Sequence, residues 1–248
     1  MKNSIIALIP ARKGSERIKN KNIALIGKHP LIAYSINSAI KSNIFQKIVV
    51  STDSNQYAKI ANHYGSEVLL RPKKISSSSS PDYEWIKFTI NSLNKMGKKF
   101  THFCILRPTS PFRDSYSIKK AWKNFKSAKN VDSLRAVQTC SEHPYKMWKL
   151  GKIFIKPMKN IFFSNQPSHN CQKKIFPKVY IQNGSLEISK TSVLEKYKTI
   201  TGKKIIPFFQ DEFKSLDINT KSDLEYARYI NEKKRIKIDR ILKKPYKF

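Results

Sequence analysis

Between Pro10 and Asn22 the chain reads PARKGSERIKNKN, a loop in which Gly14 and Ser15 stand among Arg12, Lys19 and Lys21. Small residues let the backbone approach a ligand closely, and the three cations can neutralise phosphate oxygens. This suits a nucleoside triphosphate, although a solvated basic loop has the same composition. The loop is neither GxxxxGK followed by Ser or Thr nor GxGxxG, the two common nucleotide fingerprints. Arg71 in VLLRP and Arg107 in LRPTSPFR each follow a strand-like run, and Arg113 in the second turn could join them. Phosphoryl chemistry on such a polyanion also calls for a divalent cation, for which Asp217 in SLDINT is the candidate oxygen donor. Asn219, two residues on, can face the same ion if the segment is extended. It equally suits an Asx turn or the N-cap of the helix that follows. Asp53 in VVSTDS is a strand-end carboxylate that can order the neighbouring loop or reach the site, and it better suits the cap of the next helix.

Other chemistries find little support. His29, His63, His102, His143 and His169 have no metal-ligand spacing, and no Ser, His and Asp set stands out for hydrolysis. Cys104, Cys140 and Cys171 are odd in number and far apart, which predicts free thiols, with Cys104 in the core.

The elements that must position these residues alternate. Ser4 to Ile9, Lys47 to Ser51, Glu67 to Leu70, His102 to Leu106, Ser133 to Gln138 and Lys178 to Ser189 read as strands. Pro30 to Ile40, Asn55 to Tyr64, Pro81 to Met96, Ser115 to Lys126 and Thr220 to Asn231 read as helices, the third preceded by the run Ser76 to Ser80. Such alternation predicts an α/β fold with a doubly wound, mostly parallel sheet. Ligands of such sheets bind beyond the carboxyl ends of the strands, which gathers the loops after Ile9, Ser51, Leu70, Leu106 and Gln138 around one crevice. From Ser141 to Pro177 no steady period holds, so this stretch is expected to be an insertion or protruding arm within a single domain spanning residues 1–248.

The chain has 248 residues, 40% of them hydrophobic, enough to bury one substantial core. Its formal charge is +32, from 49 Lys and Arg against 17 Asp and Glu. A polyanionic partner is the first reading of that excess. Lysine is nevertheless spread along the whole chain, as a general compositional bias would leave it, so no nucleic-acid partner is expected. Only Lys233 to Lys247 is locally concentrated, and it reads as a solvated helix end or loose terminus. No apolar run is long enough for a bilayer and no cleavable leader is evident, so membrane insertion is not expected and the cytoplasm is the expected compartment.

IPARKGSERIKNKN, VVSTD, VLLRP, LRPTSPFR, QNGSLEI and SLDINTKSDLEYA follow one another in the order seen in acylneuraminate cytidylyltransferases. Across most of its length the chain resembles that family, whose members make CMP-activated sialic, legionaminic or pseudaminic acid. The arm from Ser141 to Pro177 matches least. The resemblance implies a nucleotidyltransferase fold, transfer of CMP from CTP to an acidic nine-carbon sugar, dependence on Mg²⁺, and a homodimer whose arm reaches the partner. It further implies that Ala11, Arg12, Ser15, Lys21 and Asn22 hold the triphosphate and nucleoside, with Arg71 and Arg107 supporting the nucleotide. Arg107, Gln182 and Asn183 are implied near the sugar. Asp217 and Asn219 are implied at the metal, and Lys21, Arg12 and Asp217 in catalysis.

The chain departs from the pattern in four places. Asn219 stands where relatives often carry a second Asp, Arg107 where they often carry Gln, and Glu187 where some sialic acid enzymes carry an aromatic residue. The serine run lacks an Asp that some relatives place there. These departures leave the sugar open, a ketodeoxyoctonate cytidylyltransferase being the nearest alternative and a non-enzymatic basic binding protein the more distant one. A hexose nucleotidyltransferase would show a GxGxRL loop, which is absent.

Overall fold

The structure is a computed structural model that describes residues 3–210, 213–236 and 238–248. Met1 and Lys2, at the head of the first strand pattern, and Lys237, in the basic tail, lie outside the described residues. Seven strands form the main sheet: β1 (Ile5–Pro10), β2 (Lys47–Thr52), β3 (Glu67–Leu70), β4 (His102–Ile105), β5 (Ser133–Thr139), β6 (Tyr180–Lys190) and β7 (Ile205–Phe209). Their order across the sheet is β7-β5-β6-β4-β1-β2-β3. Every neighbouring pair is parallel except the two made by β6, which runs antiparallel to both β4 and β5. The expected mostly parallel sheet is therefore present, with one reversed strand.

Among the described residues six helices accompany the sheet: α1 (Leu31–Ser42), α2 (Asn55–His63), α3 (Asp82–Lys95), α4 (Ser115–Ser127), α5 (Ser192–Lys196) and α6 (Lys221–Glu232). The period of two along β1 explains how both faces are covered. Ile5, Ala7 and Ile9 pack with Ile32 and Ile36 of α1, Tyr57 and Ile60 of α2, and Ile118 and Trp122 of α4. Ile6 and Leu8 point the other way, into a cluster with Trp85, Ile86 and Ile90 of α3 and Leu194 of α5. An all-apolar strand of this kind is the mark of a sheet buried on both sides.

A third cluster decides where the site lies. Ile18 and Ile26, in and just after the basic loop, pack with Ile218 and with Leu224, Ala227 and Ile230 of α6. Ile218 is fully buried, and burial of a side chain that size contributes about 1.5–3 kcal/mol. This contact carries the SLDINT segment back beside the first loop.

Residues 141–177 contribute no strand to the main sheet. They fold as two short hairpins, Trp148–Leu150 against Ile155–Pro157 and Phe162–Phe163 against Gln166–Pro167, joined by 3-10 turns. Tyr145, Phe163, Phe176 and His143 pack as a small aromatic cluster at its base.

Beyond α6 the basic tail is not a loose terminus. Asp239 accepts from the backbone N–H and the hydroxyl of Ser115 at 2.6 and 3.1 Å, Asn37 donates to the Asp239 carbonyl at 3.0 Å, and the Tyr246 N–H donates to the Tyr64 hydroxyl at 3.2 Å. Ile241 and Tyr246 lean on the main core. The lysines hide this in the sequence; the few apolar and acidic residues between them tie the tail to α1, α2 and α4.

Candidate active site

A crevice of about 560 Å³ opens at the carboxyl ends of β1, β3 and β4. Arg12, Ser15, Lys21, Asn22, Arg71 and Arg107 all line it, so six of the expected nucleotide-site residues are brought together. Ala11 is fully buried, its N–H donating to the Ser51 carbonyl at 2.9 Å, and it anchors the start of the loop rather than facing the crevice. Lys19 is exposed and is not among the lining residues.

The loop holds its shape through its own polar groups. The Lys13 N–H donates to Asp53 Oδ1 at 2.8 Å, and the Asn22 amide donates to the Arg12 carbonyl at 2.9 Å. Asp53 thus orders the basic loop and does not cap α2, whose N-cap is Ser54, with the Tyr57 N–H on its hydroxyl. A one-residue offset separates the two roles, because Ser54 has the extended backbone that a cap needs.

Five cations, Arg12, Arg17, Lys21, Arg71 and Arg107, line the crevice against two carboxylates, Glu16 and Asp82. Arg71 is 6% exposed, lies 5.7 Å over the Trp85 ring, leaves Nε without a partner and forms no ion pair among the described residues. Burial lowers its pKa, Asp53 and Asp82 oppose this, and Arg12 lowers it further. Lys21 is lowered likewise, first by burial, with Asp217 opposing and Arg17 and Arg12 adding to the fall. Cations whose charge is disfavoured by burial and by neighbouring cations, as for Arg71 and Lys21, are stabilised by a bound polyanion, which supplies the missing counter-charge.

Asp217 lies beside this group but is not among the residues lining the crevice. Lys21 Nζ donates to the Ile218 carbonyl at 2.8 Å, and the Asn219 amide donates to Asp217 Oδ2 at 2.7 Å. Asn219 is not the N-cap of α6; Thr220 is, in a capping box with Asp223, while the Asn219 N–H donates to Asp223 Oδ2 at 2.8 Å. The Asn219 side chain is thereby free to address Asp217. Among the described residues no three His, Cys, Asp or Glu side chains gather as a metal cluster. One carboxylate and one amide still fit Mg²⁺, which commonly takes one or two protein carboxylates and completes its shell with phosphates and water.

Other expectations fall differently. Arg113 does not join the crevice: it is 2% exposed, its NH2 donates to the Ser35 hydroxyl at 2.8 Å and its NH1 to the Ser185 carbonyl. Burial lowers its pKa to about 10. It braces α1 against β6. Asn183 and Gln182 are not among the crevice-lining residues either. Asn183 is buried, donating to Gln210 Oε1 at 3.2 Å and accepting from the Ser185 N–H at 3.1 Å, and Gln182 is exposed. Both stand where the register of β6 against β5 shifts, between Gln182 and Glu187. Gly184 takes the left-handed conformation there (φ 68°), open to glycine without strain, and Arg107 lies against it.

Ser77, Ser78, Ser80, Asp82 and Trp85, none of them a candidate from the sequence, also line the crevice. A signal existed, since the serine run follows the third strand at the same rim. Ser77 Oγ meets Ser80 Oγ at 2.8 Å and accepts from the Ser80 N–H at 3.0 Å, closing a hydroxyl-rich turn.

Comparison with known proteins bears on this geometry. The family model described as cytidylyltransferase matches residues 6–243. An N-acylneuraminate cytidylyltransferase of Escherichia coli is 34% identical over 244 residues, 96% of this chain but 55% of that protein, so the chain spans about half of that relative's length. A CMP-N,N'-diacetyllegionaminic acid synthase of Legionella pneumophila is 30% identical over 88% of this chain and 92% of its own. Among solved structures, a CMP:2-keto-3-deoxy-manno-octonic acid synthetase complexed with CTP aligns with a TM-score of 0.68 over 94% of this chain and all of that one. At 11% identity this likeness shows the fold alone.

Proposed function

The chain belongs to the cytidylyltransferase family, and from that premise we propose that it joins CMP, drawn from CTP, to the anomeric oxygen of a nonulosonic acid of sialic, legionaminic or pseudaminic type. The observation that carries the reading is the cation-rich crevice at the strand ends, with buried Arg71 lacking an ion-pair partner among the described residues and Arg12 and Lys21 beside it. The relatives named above act on acids of this type.

In this mechanism Arg12, Ser15, Lys21, Asn22 and Arg71 bind the nucleotide. The C2 hydroxyl oxygen of the sugar attacks the α-phosphorus and loses its proton to solvent, the bond from the α-phosphorus to the bridging oxygen breaks, and pyrophosphate leaves with that oxygen. Lys21 and Arg12 stabilise the charge that grows on the leaving group, a fixed cation in a half-buried cleft being worth more than in water. The crevice holds both reactants in line, which removes the entropy of bringing them together. Mg²⁺ is the proposed cofactor, held by Asp217 with the Asn219 carbonyl, and when bound it would neutralise phosphate oxygens. Arg107, with Asn183 and Gln182 at the β6 irregularity, is proposed on the sugar side. We further propose a cytoplasmic homodimer formed through the arm, without a nucleic-acid partner. Among the described residues no helix is long and apolar enough to cross a membrane.

The test is pyrophosphate release by the purified protein with Mg²⁺, each of the four nucleoside triphosphates, and a panel of sialic, legionaminic, pseudaminic and ketodeoxyoctonic acids. Release with CTP and a nine-carbon acid supports the proposal. Release only with ketodeoxyoctonic acid, or with none while a known relative turns over, overturns it.

A further inference from the structure

Four charged side chains outside the phosphate site are linked to one another: Asp82 and Arg107, which line the crevice, and Glu187 and Arg135, which do not. Glu187 on β6 is 1% exposed; one of its oxygens accepts from Arg107 NH2 at 2.7 Å and the other pairs with Arg135 of β5. Arg107 also turns NH1 and NH2 toward the two oxygens of Asp82, at 3.4 and 2.7 Å. That end-on fork is the geometry with which arginine takes a planar carboxylate.

The two carboxylates differ in permanence. Glu187 sits mid-sheet, with Ile105 on one side and Arg135 on the other, and stripping one partner from so buried a pair is strongly destabilising. Asp82 opens α3 directly after the serine turn, lines the crevice, and has a side chain 34% exposed. Ion pairs with that access to water are weak and exchangeable. A substrate entering the crevice offers Arg107 an oxyanion of the kind Asp82 already supplies.

We propose that Asp82 is a built-in stand-in for a substrate oxyanion. It fills the Arg107 fork while the crevice is empty and gives way when the acceptor's carboxylate, or a phosphate of the nucleotide, takes its place. Glu187 and Arg135 keep the guanidinium fixed throughout. The two arginines and two carboxylates sum to zero charge, so the empty wall leaves no cation unpaired, and exchange of one oxyanion for another preserves that balance. A neutral sugar has nothing to exchange: it must break the Asp82 pair without replacing it, and is selected against. The proposal deepens the cytidylyl-transfer reading and rests on it.

Asp82→Asn removes the charge and keeps the shape, including an oxygen for the Trp85 indole N–H that now donates at 2.7 Å. With the built-in competitor weakened, the KM of the substrate that uses Arg107 is expected to fall roughly two- to fivefold, while the KM of the other substrate does not fall. A fall for the acid identifies the acceptor carboxylate; a fall for CTP identifies a phosphate. Arg107→Lys, which keeps the charge and loses the fork, is expected to raise the KM of that same substrate. Unchanged or raised values for both substrates in Asp82→Asn overturn the proposal. Should no acid support turnover, the transfer reading itself has failed. Calorimetric titration of CTP and of each acid into wild type and Asp82→Asn then still decides the stand-in, which predicts tighter binding of one of them.

Discussion

Lys21 and Ile218 are 197 positions apart in the chain, yet one side chain donates to the other's carbonyl, and the neighbouring Asp217 opposes the fall in the Lys21 pKa. The cation and the carboxylate are therefore coupled electrostatically. Asp217→Asn keeps the size of the side chain and removes its charge. Mg²⁺-dependent pyrophosphate release is expected to drop roughly a hundredfold or more, with the melting temperature unchanged. A magnesium titration coinciding with that of the wild type removes Asp217 from the metal. At this scale residue type reads well and residue partner poorly. The cations of the first loop and Arg71 were legible because strand-end loops of a parallel sheet must converge. The capping preference for Asp53 and the crevice role for Arg113 fail because a one-residue offset at a cap, or the turn of one guanidinium inward, leaves no periodic trace.

At the scale of elements, β4 and α4 meet through His102, which is 7% exposed, packs edge-on against Trp122 and Phe125, and shares a hydrogen bond with Thr101 Oγ1 at 2.8 Å. Burial, helped by nearby Lys190, lowers its pKa from 6.5 to about 4. Below pH 6.5 the unfolded chain takes up a proton that the folded chain refuses, so stability falls as the pH drops from 6.5 to about 4. The loss is about 3 kcal/mol in all. Denaturant midpoints across that range check it, and His102→Gln is expected to flatten the slope. A second joint is the tail's grip on α4. Asp239→Ala removes an acceptor from the first turn of that helix and is expected to cost about 1 kcal/mol, or roughly 2–4 °C in melting temperature. Asp239→Asn, which still accepts, should recover much of it, and equal losses in both variants would argue for charge alone. The long periodic elements were readable to within two residues at most ends. The strand Ile205–Phe209 was not, since it is short and pairs only with β5 at the sheet's edge. The helix Ser192–Lys196 is too short to show a period.

At the scale of the molecule, the excess of cations and the exposed arm pull in opposite directions. Leu150, Ile153 and Phe154, at the tip of the first hairpin, are 84, 83 and 75% exposed. Clustered apolar side chains left in water mark a surface that seeks a partner. A second copy of a chain with formal charge +32 is, however, repelled over distances set by the Debye length. If the arm makes the proposed homodimer, association is driven by apolar contact and opposed by charge. Raising salt from about 0.05 to 0.5 M is then expected to tighten the dimer, as read by sedimentation velocity. An assembly formed through bound nucleic acid has the opposite signature, because salt competes for its phosphates. Phe154→Glu places a charge where the isolated chain makes no buried contact, so it is expected to yield folded monomers at every salt concentration. A dimer that survives Phe154→Glu and loosens with salt would move the interface off the arm and onto a surface held by ion pairs.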